Sequence, residues 1–172
     1  MFSRRALLLA ASVFALTSAL PASADDLTYE KLFFIQRSKN ANEVHYDARV
    51  AKGGTLDADE PVVGYWINKA EGGGRSSLTF MQKAAYGFDV EPASNGTYDL
   101  TLEAFEDRPM KIVKDAKGKW RVALKVAGKD AYLQKLYVAT DESGMIPTVL
   151  YVDVFGEETG GGKPVQERLT KN

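Results

Sequence analysis

Alternating apolar and polar positions dominate the second half of this chain. In residues 97–105 every second side chain from Tyr98 onward is apolar, and the positions between them are mostly polar. Residues 119–126 repeat the alternation, with Trp120 as the first apolar position. A period of two places successive side chains on opposite faces of a β-strand, so each segment is typical of a strand with one buried face. The pattern predicts antiparallel strands joined by short turns.

The first half of the chain contributes further strands. Residues 32–37 are apolar on both faces, which is typical of a central strand. Residues 43–50 alternate cleanly and are expected to form a hairpin with them, and residues 61–69 form the next strand. With the second half this makes about ten strands of ordinary length. The predicted fold class is all-β and mainly antiparallel, a single barrel or sandwich of about 8–10 strands.

One segment departs from the period of two and is typical of a helix. Apolar or long side chains recur there at the spacing of an amphipathic helix. These are Leu78, Met81, Gln82 and Ala85. Ser76 or Ser77 is placed to accept a hydrogen bond from the first turn. We expect one short α-helix at about 77–86, directly after the glycine-rich stretch 70–75.

The N-terminal segment has the features of a secretory signal peptide. Arg4 and Arg5 form a charged start, residues 6–20 are apolar, and residues 22–24 (Ala-Ser-Ala) are a small-residue cleavage motif. The apolar run is too short for a membrane helix of about 20 residues. We expect residues 1–24 to be cleaved, leaving a bacterial protein in the periplasm or outside the cell without stable membrane insertion. The paired arginines are compatible with the general secretory route and with the twin-arginine route.

Length and composition narrow the class of protein. Cleavage of 24 residues from the 172 leaves 148, enough for one domain over residues 25–172. The net charge, −1 for the whole chain, becomes −3 once Arg4 and Arg5 are removed. An acidic balance argues against a nucleic-acid partner, which requires a basic face. The chain has no cysteine, which excludes disulfides, thiol catalysis and cysteine-ligated metals, and we predict neither a metal nor another cofactor.

His45 is the single histidine of the chain and its candidate for acid–base catalysis. Asp47 lies on the same face of the predicted strand and can orient it. A hydrolase-type enzyme that uses His45 and Asp47 is therefore one alternative, against an ordinary polar residue on a solvated sheet face. Whether the chain is an enzyme stays open, with non-catalytic function favoured. The sequence leaves the orientation of Asp153 open, because both faces of residues 148–156 are apolar enough to face the core. Asp153 is either inward and buried, where it needs a partner, or outward.

The glycine-rich stretch before the predicted helix is the sharpest candidate for a binding site. Free N–H groups at a helix start, glycines and a cation together suit a phosphate or a carboxylate. The candidate ligand contacts are Arg75, Ser76, Ser77 and Lys83, with His45 and Arg37 as additional candidates. The alternative is a plain glycine loop followed by an ordinary serine cap.

Several segments, taken in order, resemble a known family. They are residues 32–48 (LFFIQRSKNANEVHYDA), 63–67 (VGYWI), 78–90 (LTFMQKAAYGFDV) and 151–169 (YVDVFGEETGGGKPVQERL). On these segments the chain resembles an uncharacterised bacterial exported family, domain of unknown function 4833. The resemblance implies a single exported domain over nearly the whole mature chain, and it lends no activity, ligand or catalytic residue.

Three functional hypotheses follow from these observations. The favoured one is an exported, non-catalytic β-domain that binds a small ligand, for which an anion is one option, or an envelope partner. The alternatives are the hydrolase-type enzyme of His45 and Asp47, and a structural or assembly protein that pairs through a strand edge. The oligomeric state is left open by the sequence.

Overall fold

The computed structural model describes residues 27–38, 41–141, 143–144 and 148–170. Over these residues the chain forms eleven strands and one α-helix. The strands are β1 (Thr28–Arg37), β2 (Glu43–Val50), β3 (Val62–Asn68), β4 (Gly74–Ser77), β5 (Phe88–Pro92), β6 (Tyr98–Leu102), β7 (Met110–Lys114), β8 (Trp120–Val126), β9 (Lys129–Asp141), β10 (Thr148–Glu158) and β11 (Pro164–Thr170), and the helix is α1 (Phe80–Tyr86). The predicted signal peptide, at residues 1–24, lies outside the described residues.

The strands form one curled sheet, in which β9 is the central member. The order is β4-β3-β2-β1-β9-β8-β7-β6-β5, with β10 also paired to β9 and β11 paired to β10. Along its length β9 changes partner: residues 129–132 pair antiparallel with β8, and residues 135–138 pair parallel with β1. The predicted all-β, mainly antiparallel class is confirmed, and the choice between barrel and sandwich resolves into a curled half-barrel.

The inner face of the half-barrel holds the hydrophobic core. Tyr46 on β2 is its largest fully buried side chain, and its ring stacks on Phe33 at 4.4 Å between centroids. The Tyr46 hydroxyl donates to the carbonyl of Tyr86 at 2.8 Å, which ties the end of α1 to β2. Phe88 meets the Tyr46 ring at 5.5 Å. This contact requires glycine at position 64, where a Cβ would come within 2.8 Å of the Phe88 ring.

The helix begins later than the sequence predicted, and its predicted serine cap is wrong. Thr79 is the N-cap: its hydroxyl accepts from the N–H of Gln82 at 3.3 Å. The Gln82 side chain accepts in return from the N–H of Thr79 at 2.8 Å. This reciprocal capping box satisfies two N–H groups of the helix start at once. Ser76 and Ser77 lie instead in β4, extended and paired with β3.

The glycine-rich stretch closes a β-hairpin and does not begin a helix. Gly72 and Gly73 have φ of 89° and 82°, and the N–H of Gly73 donates to the carbonyl of Asn68 at 2.8 Å. These left-handed values suit glycine and turn the chain back, so that β4 pairs with β3. The helix-start arrangement that motivated the predicted anion site is therefore a turn.

Candidate ligand-binding face

The outer face of the sheet has a row of aromatic and polar side chains that crosses six strands. Its members are paired directly across neighbouring strands, so they share one face. They are Tyr65 on β3, His45 on β2, Phe34 on β1, Lys135 on β9, Phe155 on β10 and Gln166 on β11, and we call them the outer row. All of them except Gln166 are half-buried. Core residues such as Tyr46 and Val154 occupy the alternate positions, which point to the inner face.

His45 is held between two rings of the outer row. Its ring stacks on Phe34 at 5.3 Å and on Tyr65 at 5.6 Å between centroids. Its Nε2 lies 2.7 Å from Oε2 of Glu43. The predicted pairing of His45 with Asp47 is therefore wrong. Asp47 accepts instead from the Tyr65 hydroxyl, with 2.7 Å between the two oxygens.

Glu43 is a buried carboxylate with two partners. Its side chain is 8% exposed, and its second oxygen, Oε1, lies 2.5 Å from Nζ of Lys69. Burial alone would raise the pKa of Glu43, but the hydrogen bonds from Lys69 and His45 outweigh it and lower the pKa. Glu43 is therefore ionised at neutral pH and fixed in position beside the outer row.

Tyr65 donates a hydrogen bond to a second buried carboxylate, that of Asp47. Burial raises the pKa of Tyr65 to about 12, and the hydrogen bond and charge of Asp47 act in the same direction. The Tyr65 hydroxyl therefore stays protonated at neutral pH and remains a donor to Asp47. The guanidinium of Arg75, on β4, lies 3.6 Å from the centroid of the Tyr65 ring.

Asp153 lies on the outer face and is nevertheless buried. The inner face of β10 belongs to residues such as Val154. Arg168 on β11 donates to both Asp153 oxygens at 2.7 Å, and its guanidinium lies 3.8 Å from the centroid of the Tyr151 ring. These hydrogen bonds outweigh the effect of burial and hold the pKa of Asp153 below its ordinary value. The sequence analysis gave burial and an outward orientation of Asp153 as alternatives. In the structure Asp153 points outward and is also buried.

Of the cations that lie over rings of this face, three have no carboxylate oxygen within 4.0 Å among the described residues. They are Arg75 over Tyr65, Lys31 over Phe34 at 4.5 Å, and Lys135 over Phe155 at 4.5 Å. The charge of Lys135 also acts on Asp153 and lowers its pKa. A cation–π contact at an exposed site contributes only about 0.5–1 kcal/mol. The charges of Arg75 and Lys31 are therefore available to an anion.

A cleft of about 590 Å³ opens beside Phe34, where β9 leaves β8 and joins β1. Leu32 on β1 and Gln134 on β9 are extra residues at which the pairing with the neighbouring strand shifts by one position. Both line the cleft. Bulges of this kind bend a strand and redirect its side chains, and they are frequent beside binding sites. The change of partner along β9 therefore produces the concavity.

Two lysines of the cleft wall have no carboxylate partner. Lys31 and Lys119 line the cleft together with Arg121, Glu30 and Glu157. Oε2 of Glu30 accepts a backbone N–H of β8 at 2.9 Å, and Arg121 lies 3.6 Å from Glu157. In the part of the chain that the structure describes, no carboxylate oxygen lies within 4.0 Å of Lys31 or Lys119. The cleft wall has three cations and two carboxylates, of which Glu30 also lacks a cationic partner among the described residues, so the net charge of the wall is 3 − 2 = +1.

The structure brings some of the predicted site residues together and separates others. Arg75, Ser77 and His45 share the outer face, Ser76 and Arg37 occupy alternate positions of β4 and β1, and Lys83 lies on α1. Arg75 and His45 meet through the ring of Tyr65, which contacts both. Roles for these residues in ligand binding stay predictions.

Lys31, Lys119 and Gln134 are cleft residues that the sequence analysis did not name. They come from separate segments that meet only because β9 changes partner. The available signal was the apolar character of residues 32–37 on both faces. It indicates that the outer side of β1, and hence Phe34, is also shielded from water.

Within the described residues no group of three or more His, Asp or Glu side chains is placed to hold a metal ion. No helix in the same part of the chain is long and apolar enough to cross a membrane.

Comparison with known proteins identifies a family. The family model described as "Domain of unknown function (DUF4833)" matches residues 33–168, a range that includes every member of the outer row. The comparison with curated proteins found no match, and neither did the comparison with solved structures.

Proposed function

The chain belongs to the DUF4833 family, and we propose that it is a non-catalytic binding module that holds a small anionic ligand in the cleft between β1 and β8. The proposal includes bacterial export, with the domain acting in the periplasm or outside the cell. The signal-peptide pattern of residues 1–24 supports this location.

The unpaired charge of Lys31 and Lys119 is the observation that supports a ligand of negative charge. The whole chain has a net charge of −1, so a local excess of positive charge does not follow from its composition. Both lysine side chains are exposed, so their ammonium groups attract an anion in the cleft through a Coulomb interaction that solvent partly screens. The cleft volume, about 590 Å³, is of the size that holds small molecules.

The outer row gives the cleft a rigid wall. Phe34 lines the cleft and also stacks on His45, whose Nε2 meets the buried carboxylate of Glu43. A side chain fixed in this way loses little conformational freedom when a ligand binds, which favours affinity. In this proposal His45 positions Phe34 and takes no part in proton transfer.

Native mass spectrometry of protein purified from the cell envelope tests the proposal. A retained small molecule is expected, with a mass and charge that identify it as an anion. The double variant Lys31→Ala/Lys119→Ala should lose this molecule, because both unpaired cations of the cleft are removed. The matched control is Lys111→Ala/Lys125→Ala, which removes two exposed lysines of β7 and β8 that are paired with Asp99 and Asp130.

Soluble probes complete the test when the protein is purified without a ligand. Citrate and glucuronate are titrated into the wild type and both double variants, and binding is followed by calorimetry. Binding that Lys31→Ala/Lys119→Ala abolishes and the control retains supports the proposal. Binding that both variants retain in full overturns it, and so does the absence of any bound anion in both experiments.

Assembly through a strand edge is a second candidate function, and β4 favours it. β4 ends the order of strands on its side of the sheet, and all four of its residues are exposed. An open edge of this kind is a template for pairing with another chain. Dimer peaks that grow with protein concentration in the same native spectra would support assembly. A monomer at every concentration would contradict it.

A further inference from the structure

A second concavity lies next to the cleft and shares part of its wall. It measures about 460 Å³ and is formed by β10, β11 and the loop between them. Gln134 and Glu157 line both concavities. Gln134 donates to Oε2 of Glu157 at 3.4 Å, so these two side chains form a common wall between adjacent concavities. We call the two concavities together the groove; it extends along the outer face from β1 over β9 and β10 to β11.

The two ends of this groove differ in chemistry. The cleft holds the unpaired lysines, whereas the described residues that line the second concavity include no cation. They offer instead the rings of Phe155 and Pro164 and the polar side chains of Gln134, Glu157 and Gln166. Carboxamides donate and accept hydrogen bonds and a carboxylate accepts them, which suits hydroxyl groups. An apolar ring beside such groups suits the C–H face of a sugar.

The length of the groove indicates a ligand of more than one ring. From β1 to β11 it crosses three strand spacings, roughly 14 Å at the usual spacing of about 4.8 Å. A single sugar ring is shorter than this distance. Lys135 lines neither concavity, although its ammonium group lies 4.5 Å from the centroid of the Phe155 ring and 3.5 Å from Oε1 of Gln36.

We propose that the ligand of this groove is an acidic oligosaccharide, an inference that rests on the function proposed above. Its carboxylate-bearing sugar lies in the cleft against Lys31 and Lys119. A neutral sugar lies in the second concavity against Phe155 and Pro164. Glu157 lines both concavities, but only the cleft also has lysines and an arginine that offset its charge. An acidic sugar in the second concavity would face this carboxylate without a cation in the lining, so the groove favours a chain with one acidic end over a chain that is acidic throughout.

Calorimetric titration with four sugars tests the inference. The probes are glucuronate, xylotriose, glucuronosyl-xylotriose and trigalacturonate, which present the acidic sugar alone, neutral sugars alone, both together, and acid throughout. Glucuronosyl-xylotriose should bind at least about tenfold more tightly than glucuronate, because it fills both concavities. Trigalacturonate should bind no more tightly than glucuronate, and xylotriose should bind most weakly.

Variants test whether the tighter binding of glucuronosyl-xylotriose depends on contacts in the second concavity. Phe155→Ala should reduce the affinity for glucuronosyl-xylotriose about tenfold, close to that for glucuronate, and should affect glucuronosyl-xylotriose more than glucuronate. Pro164→Ser changes an exposed ring and serves as a second variant if Phe155→Ala unfolds the protein. Lys31→Ala should weaken the binding of all three acidic probes.

The outcomes separate this inference from the proposed function. Equal affinity for glucuronate and glucuronosyl-xylotriose, lost in Lys31→Ala, overturns the oligosaccharide and leaves the anion-binding cleft. Citrate binding without any sugar binding has the same consequence. Binding of no anion at all overturns both proposals.

Discussion

The outer faces of the two halves of the sheet show the same alternation of side chains, but charged side chains on them differ in their exposure to water. We call β5–β8 the solvated half, and β1–β4 with β9–β11 the row half. In the solvated half the paired side chains of Lys111 and Asp99 are 55% and 54% exposed. In the row half the carboxylate side chains of Glu43 and Asp153 are 8% and 6% exposed. The Lys111–Asp99 pair is thus in water, whereas the carboxylates of Glu43 and Asp153 are buried at outward positions.

The difference arises from the side chains on neighbouring strands. In the row half, the Tyr65 hydroxyl reaches Asp47. Arg168 reaches Asp153 in the same way from β11. Large neighbours displace water from a polar group, which must then be hydrogen-bonded within the protein. The row half therefore has fixed charges between packed rings, an arrangement that suits a binding surface.

Replacement of Asp153 should lower the free energy of unfolding more than the other changes considered below. Asp153→Ala loses two charge-assisted hydrogen bonds at a buried position, and we expect the free energy of unfolding to fall by about 2 kcal/mol. The loss stays below the 3–5 kcal/mol of a fully buried pair because Arg168 is half-exposed and can turn to water. Asp99→Ala is the control, in the exposed pair of the solvated half, and should cost less than about 0.5 kcal/mol. Urea unfolding measures both, and equal losses would contradict the contrast.

Acidification should also destabilise the row half, by somewhat less than the replacement of Asp153 does. The pKa values of Glu43 and Asp153 lie below their ordinary values of 4.5 and 3.8. The unfolded chain therefore binds these protons more readily than the folded protein does. The stability that the two groups contribute is complete above the ordinary values and is lost as the pH falls through the lowered ones.

Urea unfolding at pH 7 and in steps below pH 4.5 measures this loss. The variant Glu43→Gln/Asp153→Asn cannot be titrated at these positions, so it should be less stable at pH 7 and should lose less on acidification. A variant whose stability falls as steeply as that of the wild type would show that other carboxylates cause the acid sensitivity.

The strands were predictable from the sequence, and the burial of their outer faces was not. The period of two identifies β2 and β8 because their inner positions, such as Tyr46 and Val122, pack in the core. His45 and Asp99 occupy equivalent outward positions in that pattern, yet only His45 is enclosed by rings. Enclosure depends on which strands are neighbours, including the parallel pair β1–β9, and no local pattern gives that order.

The candidate site was predictable only in part. Arg75 and His45 were named from the sequence and do lie on one face, joined by Tyr65. The reason given for Arg75 was wrong, because the chain at that point is a hairpin and the helix begins beyond it. Lys31 and Lys119 could not be connected from the sequence, since they meet only where β9 exchanges β8 for β1.

Replacement of Tyr65 should give a smaller loss of stability and a spectroscopic change. Tyr65→Phe removes the donor to the buried Asp47 carboxylate, and we expect a loss of about 1 kcal/mol. Ultraviolet titration should also lose the tyrosine that ionises near pH 12. Tyr29→Phe is the control, because Tyr29 is 56% exposed, and it should leave stability unchanged. If the high-pH transition persists in Tyr65→Phe, another tyrosine is responsible for it.

The ion pair of Lys111 and Asp99 in the solvated half should give the smallest effect. Both groups keep most of their hydration, so their attraction in water is weak. A double-mutant cycle of Lys111→Ala and Asp99→Ala should give a coupling energy below about 0.5 kcal/mol, and less in 1 M salt, where screening acts over about 3 Å. The corresponding cycle of Tyr65→Phe and Asp47→Ala should give a larger coupling energy that salt hardly changes, because the carboxylate is buried. Equal coupling energies with equal salt dependence would mean that the outer row is solvated like any other sheet face, and the rigid wall proposed for the cleft would lose its physical basis.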